Sequence, residues 1–136
     1  MKEYNCNFYE IDFYDSFLED PIVTGNNMTI RARDIILLTG LLTKPTVTIT
    51  PIAECLLHFD GVRRSEKKMY EYIGDPAEGK FADPYVLFDG PFEQTPGERE
   101  HLELEGVIEK PAAWIAWDIE ASAFRLEIPN DVEIPE

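Results

Sequence analysis

Positive charge and metal-binding side chains are what this chain has least of. Its 136 residues include 12 Lys and Arg against 27 Asp and Glu, a formal charge of -15, with only two histidines and two cysteines. Nucleic-acid binding needs cations clustered along a phosphate track, so no nucleic acid is expected as a partner. The same shortage argues against an anionic membrane surface. No apolar run approaches the roughly 20 residues of a membrane span. The first residues, Met1 to Cys6, lack the apolar core of a secretory signal, so the expected location is cytoplasmic. Cys6 and Cys55 form no C-x-x-C pair and are too few for a zinc site; in a reducing compartment they are expected as free thiols. G-x-S-x-G and glycine-rich phosphate loops are also missing. No cofactor is expected, and the chain does not read as an enzyme.

What is present is enough apolar material for a core: 44% of residues are hydrophobic and 12% aromatic. That composition excludes a disordered chain, and the length suits one domain. The expected organisation is a single globular domain over residues 1–128 with a polar tail over 129–136. Charge is uneven along the chain. Residues 81–136 hold 14 acids and 3 bases, whereas residues 31–50 hold 1 acid and 3 bases.

The most acidic part also has the clearest periodicity. Over His101 to Glu109, Leu102, Leu104, Gly106 and Ile108 alternate with His101, Glu103, Glu105, Val107 and Glu109. Side chains change face at every residue of a strand, so this pattern predicts a half-buried strand. Ile115, Trp117 and Ile119 alternate with Trp114, Ala116 and Asp118 in a second strand, and Phe124, Leu126 and Ile128 mark a third. A four-residue loop over 109–112 pairs Leu104 with Trp117 and Glu103 with Asp118; a second loop over 120–123 pairs Trp117 with Leu126 and places Arg125 opposite Asp118. The reading is a C-terminal meander whose register is set by its apolar face. Gly106 would leave room for Trp117.

Upstream, alternation predicts strands over 6–14, 28–33, 46–50, 52–62 and 85–88. Ile35 to Leu38 reads as a strand buried on both sides, and Asp15 to Asp20 as a helical turn. Residues 65–73 fit either a capped helix or a strand, and the strand is preferred in this context. The predicted fold is all-β: an antiparallel sandwich or barrel-like sheet of roughly seven to nine strands. The alternative is α+β with one short helix on the sheet.

Three functional readings follow. The first is a small acidic protein-interaction domain that docks a basic protein, in its specific form an immunity-type inhibitor of a cationic toxin. Its candidate interface is Glu103, Glu105, Glu109, Trp114 and Asp118, with Trp114 as the apolar anchor and the acids selecting the partner's charge. The second is a β-barrel that binds a small molecule or carbohydrate through its aromatics. The third, ranked last, is an enzyme using carboxylates and a histidine. His58 and Asp60 share a strand face and are weak metal candidates, because residues two apart lie about 7 Å apart along a strand and need a further ligand. No metal is expected. Composition alone leaves the oligomeric state open.

Overall fold

A computed structural model describes residues 1–89, 92–94, 96–109 and 112–135, with the side chains of 88, 89 and 107–109 outside the description. Its described residues form two antiparallel sheets and two short 3-10 turns. In chain order the strands are β1 (Lys2–Tyr4), β2 (Ile11–Asp12), β3 (Phe17–Leu18), β4 (Ile22–Thr24), β5 (Asn27–Thr39), β6 (Thr48–Asp60), β7 (Arg64–Glu71), β8 (Tyr85–Asp89), β9 (Glu100–Glu109), β10 (Ala112–Ala121) and β11 (Ala123–Ile128). The larger sheet runs β1-β11-β6-β5-β2, with β3 and β4 also on β5; the smaller runs β8-β7-β10-β9. The two do not close into a barrel. The predicted all-β sandwich is therefore correct and its barrel-like form is not. Strands outnumber the expectation because four of the first five are only two or three residues long.

The core lies between the sheets. Met28, Ile30, Ala32, Ile35, Cys55, Leu57, Phe59 and Leu126 fill it from one side, and Leu102, Leu104, Trp117 and Ile119 from the other. Burying one such side chain contributes about 1.5–3 kcal/mol relative to leaving it in water. Ile35 and Leu37 are buried while Ile36 and Leu38 stay partly exposed, so this run is buried on one face only. Along β5 the buried positions change from even to odd numbers at Arg33–Asp34, and along β6 the same change falls at Ala53–Glu54. Pairing continues on both sides, Arg33 with Glu54 and Ile35 with Ile52. Asp34 carries the change with φ of 58°, a left-handed conformation that Asp tolerates better than most residues. Pro51 sits in β6 beyond the residues that β11 covers, Leu56 to Asp60, so its missing N–H breaks no ladder there.

Four further expectations need correction. Residues 6–14 are not one strand: Asn7 caps a 3-10 turn at Phe8–Glu10, its side chain accepting from the Tyr9 amide while Glu10 reaches back to the Asn7 amide. Asp15 to Asp20 is a turn followed by β3, not a helical turn. The β9–β10 hairpin has the expected register, Leu104 with Trp117 and Glu103 with Asp118, but the meander stops there. β10 takes β7 as its other neighbour, and β11 crosses to the larger sheet beside β6. The crossing is fixed at Ser122, whose amide and hydroxyl both donate to the Asp60 carbonyl. Finally, Gly106 makes room for backbone, not for Trp117. A Cβ there would lie 3.2 Å from the Phe13 carbonyl oxygen and 3.4 Å from that of Ser16. After β11 the chain folds back, and Val132 and Ile134 pack against the core.

Candidate functional site

The N-terminal segment reaches the smaller sheet at the outer edge of β9. The Tyr9 hydroxyl donates to the His101 carbonyl at 3.1 Å, and Gly106 lets the carbonyls of Phe13, Tyr14 and Ser16 approach closely. Asp12 shapes this segment, its side chain accepting from the Tyr14 amide at 2.9 Å in an Asx turn. Tyr14 then meets Trp114, ring centroids 5.9 Å apart and tilted by 58°. The result is a groove of about 400 Å³ lined by Tyr9, Asp12, Tyr14, Glu103, Glu105 and Trp114.

Three of the five expected interface residues, Glu103, Glu105 and Trp114, line this groove. Asp118 lies beside it on the same outer face, directly opposite Glu103. The backbone of Glu109 ends β9, and its side chain lies outside the described residues. Asp118 was expected between Glu103 and Arg125. It stands instead between Glu103 and Glu66, because β7 occupies the place expected for β11. Three carboxylates thus stand in a row across three strands, an arrangement that like-charge repulsion opposes.

Neighbouring polar groups moderate that repulsion unevenly. Lys68 Nζ lies 3.1 Å from Glu66, and the same carboxylate raises the Lys68 pKa by hydrogen bonding to the ammonium. His101 Nε2 lies 3.1 Å from Asp118 and 3.8 Å from Glu103. Glu105 has no ion pair among the described residues. Among the described acids of β9 and β10 on this face, Glu105 is therefore the least compensated.

Sequence reading missed Tyr9, Asp12 and Tyr14. Their spacing carries no local sign of the groove, since they meet β9 only through tertiary packing. It also placed the metal question at the wrong histidine. His58 bonds Thr29 through Nδ1 at 3.0 Å and Glu127 through Nε2, whereas Asp60 binds Arg125, Nε to Oδ2 at 3.0 Å. The Asp60 carboxylate is thus already engaged by a guanidinium, and His58 turns to other partners. Among the described residues, the ligand atoms that gather within 4.8 Å of one another belong to His101, Glu103 and Asp118. His101 and Glu103 are exposed and Asp118 is half-buried, and such a surface cluster is ordinary in a chain this acidic.

Both cysteines are free, and burial pushes each thiol up to about 12. They are apolar packing in character and poor nucleophiles at neutral pH. No protein-family model matches the chain, and no curated protein or solved structure is significantly similar to it.

Proposed function

We propose that the protein is a small interaction module whose β9–β10 outer face docks a basic protein partner, with a lysine or arginine of that partner entering the Tyr9–Trp114 groove. One observation carries this reading: the carboxylates Asp12, Glu103 and Glu105 line the same groove as the aromatic residues Tyr9, Phe13, Tyr14 and Trp114. Carboxylates attract the cation, and aromatic faces hold it with about 0.5–2 kcal/mol depending on desolvation. An uncharged ligand would gain hydrogen bonds from the acids but no charge attraction, and an anion would be repelled by them. The chain's charge of -15 adds long-range steering toward a cationic surface. A cytosolic inhibitor that covers a cationic toxin is the specific protein this arrangement suits best. The action proposed is occlusion, not catalysis.

The probe is a fluorescent arginine-rich nonapeptide, titrated at low and at physiological salt. Binding is expected at low salt, weakened roughly tenfold by Trp114→Ala and more by Glu103→Lys with Glu105→Lys. Raising salt is expected to weaken it further. If the charge-reversed, folded variant binds the peptide as tightly as the natural sequence at low salt, the groove is not the docking site.

A further inference from the structure

Among the described residues, Lys67 is the one buried lysine, only 6% exposed. It lies on the inward face of β7 between Ser65 and Met69, whose positions on that strand are also buried. Its β10 neighbour in register is Trp117. The ammonium sits over that indole, 4.7 Å from the ring centroid. The indole Nε1–H in turn donates to Ser65 Oγ at 2.8 Å, and Ser65 contacts the Met28 sulfur of the facing sheet, so the ring is held in place. Among the described residues, Lys67 Nζ has neither a hydrogen-bond acceptor nor a carboxylate within ion-pair distance. An ammonium partly withdrawn from water, with Asp20 acting on it only through space, is costly, and replacing it with a hydrophobe would ordinarily stabilise the fold.

The surroundings show what the amine faces. At this level the interior is interrupted, because Met69, Ala113 and Ile115 form a cluster separate from the main core. A cavity of about 310 Å³ opens at the break, between the β3 segment and the smaller sheet, and Lys67 lines it together with Phe17, Leu18, Leu87 and Ile115. Gly106, opposite Ile115, adds no side chain to fill it. Two acids also line the cavity, Glu19 and Asp20. Glu19 is turned to Arg31 and Arg33, at 3.7 and 3.6 Å. Asp20 is exposed and raises the Lys67 pKa only through space, while burial lowers it more.

We propose that this cavity binds a small apolar monocarboxylate, with the carboxylate on Lys67 Nζ and the hydrocarbon body against Leu18, Leu87 and Ile115. The volume is at the small end of ligand sites. Lys67 is the cation among the lining residues, Glu19 is paired with Arg31 and Arg33, and exposed Asp20 competes for the amine, so the site accommodates at most a single negative charge and repels a phosphate or dicarboxylate. The apolar walls favour a hydrocarbon body over a sugar. This site is on the inner side of the smaller sheet and does not depend on the groove outside. Its salt response is opposite: screening the chain's negative charge helps an anion enter.

Hexanoate is the probe, followed by calorimetry and by the Trp117 indole N–H resonance of the whole protein. Saturable binding is expected, with hexan-1-ol at least about tenfold weaker. Lys67→Met is expected to abolish hexanoate binding while melting at the same or a higher temperature. Asp20→Asn is expected to tighten binding about two- to fivefold by removing the competing acid. The proposal is overturned if hexanoate leaves the Trp117 resonance unmoved at about 20 mM, a generous excess for a weak site. It is equally overturned if hexanol matches hexanoate, or if a folded Lys67→Met protein binds hexanoate unchanged. Should Lys67→Met fail to fold, Asp20→Asn decides alone, and unchanged affinity there counts against the site.

Discussion

Single residues carry much of this architecture through what they leave out or hold buried. Gly61 has φ of 60°, and a Cβ there would come within 2.2 Å of Ser122 Oγ, the hydroxyl that fixes the sheet crossing. Gly61→Ala therefore combines a left-handed penalty of about 1–2 kcal/mol with loss of that hydrogen bond. Urea unfolding should show a clearly lower midpoint, whereas Gly25→Ala, with open space around it, should show the conformational penalty alone. Lys67 supplies the pH dependence. In the unfolded chain its amine holds a proton up to near its ordinary value of 10.5, and in the fold burial lowers that value. Between the two values the unfolded chain binds a proton that the folded chain does not, so this group makes stability rise with pH across that window. Lys67→Met should accordingly raise the melting temperature most at neutral pH, with the gain shrinking as pH approaches 10.5. An increment independent of pH would mean that the amine titrates alike in both states.

At the scale of elements, the register of the β9–β10 hairpin was legible because its apolar alternation admits one register, although the strands extend to Glu109 and Ala112, which were expected in the loop. Leu102, Leu104, Gly106 and Ile108 can meet Ile119, Trp117, Ile115 and Ala113 only if the faces agree. The sheet to which β11 belongs was not legible. A short link at Ser122 looks the same in sequence whether the next strand folds back beside β10 or crosses to β6, and the deciding partner, Asp60, is far upstream. The Asn7–Glu10 cap was readable, since an Asn three residues before a Glu is a known helix-start pattern, but the strand-like alternation of Tyr9, Ile11 and Phe13 masked it. The groove inherits this split: its acids on β9 follow from periodicity, and its rings from residues 9–14 do not. That segment is held at Gly106, where a Cβ would crowd the Phe13 carbonyl at 3.2 Å. Gly106→Ala should loosen residues 9–16, seen as faster amide exchange there than in β5 or β6. Uniform exchange across both regions would show that the segment and the sandwich open together.

For the whole molecule, charge is the dominant fact. A net charge of -15 on a small domain repels itself, and folding brings those charges closer. Raising the ionic strength from about 10 to 150 mM shortens the screening length to about 8 Å, so the melting temperature should rise over that range. Lysine substitutions at Glu103 and Glu105 should reduce this salt dependence while removing the acidic side of the groove. A melting temperature that falls with added salt would mean that local ion pairs, such as Arg125 with Asp60, outweigh the general repulsion. Fold class and acidic character were thus readable from composition and pattern. The Lys67 cavity was not, because a lysine within the cluster Arg63–Lys68 looks like any other surface cation until strand pairing turns it inward.

The pairing of β1 with β11 has a mechanical consequence. Lys2 faces Ile128, Glu3 faces Glu127 and Tyr4 faces Leu126, in antiparallel order. Both ends of this strand pair leave the sheet from the same side. A force pulling the two ends apart therefore loads the hydrogen bonds one after another, as a zipper is opened, and never all at once in shear. Such a fold yields at its seam under a small pull, releasing β1 and β11 before the long β5–β6 ladder feels the load.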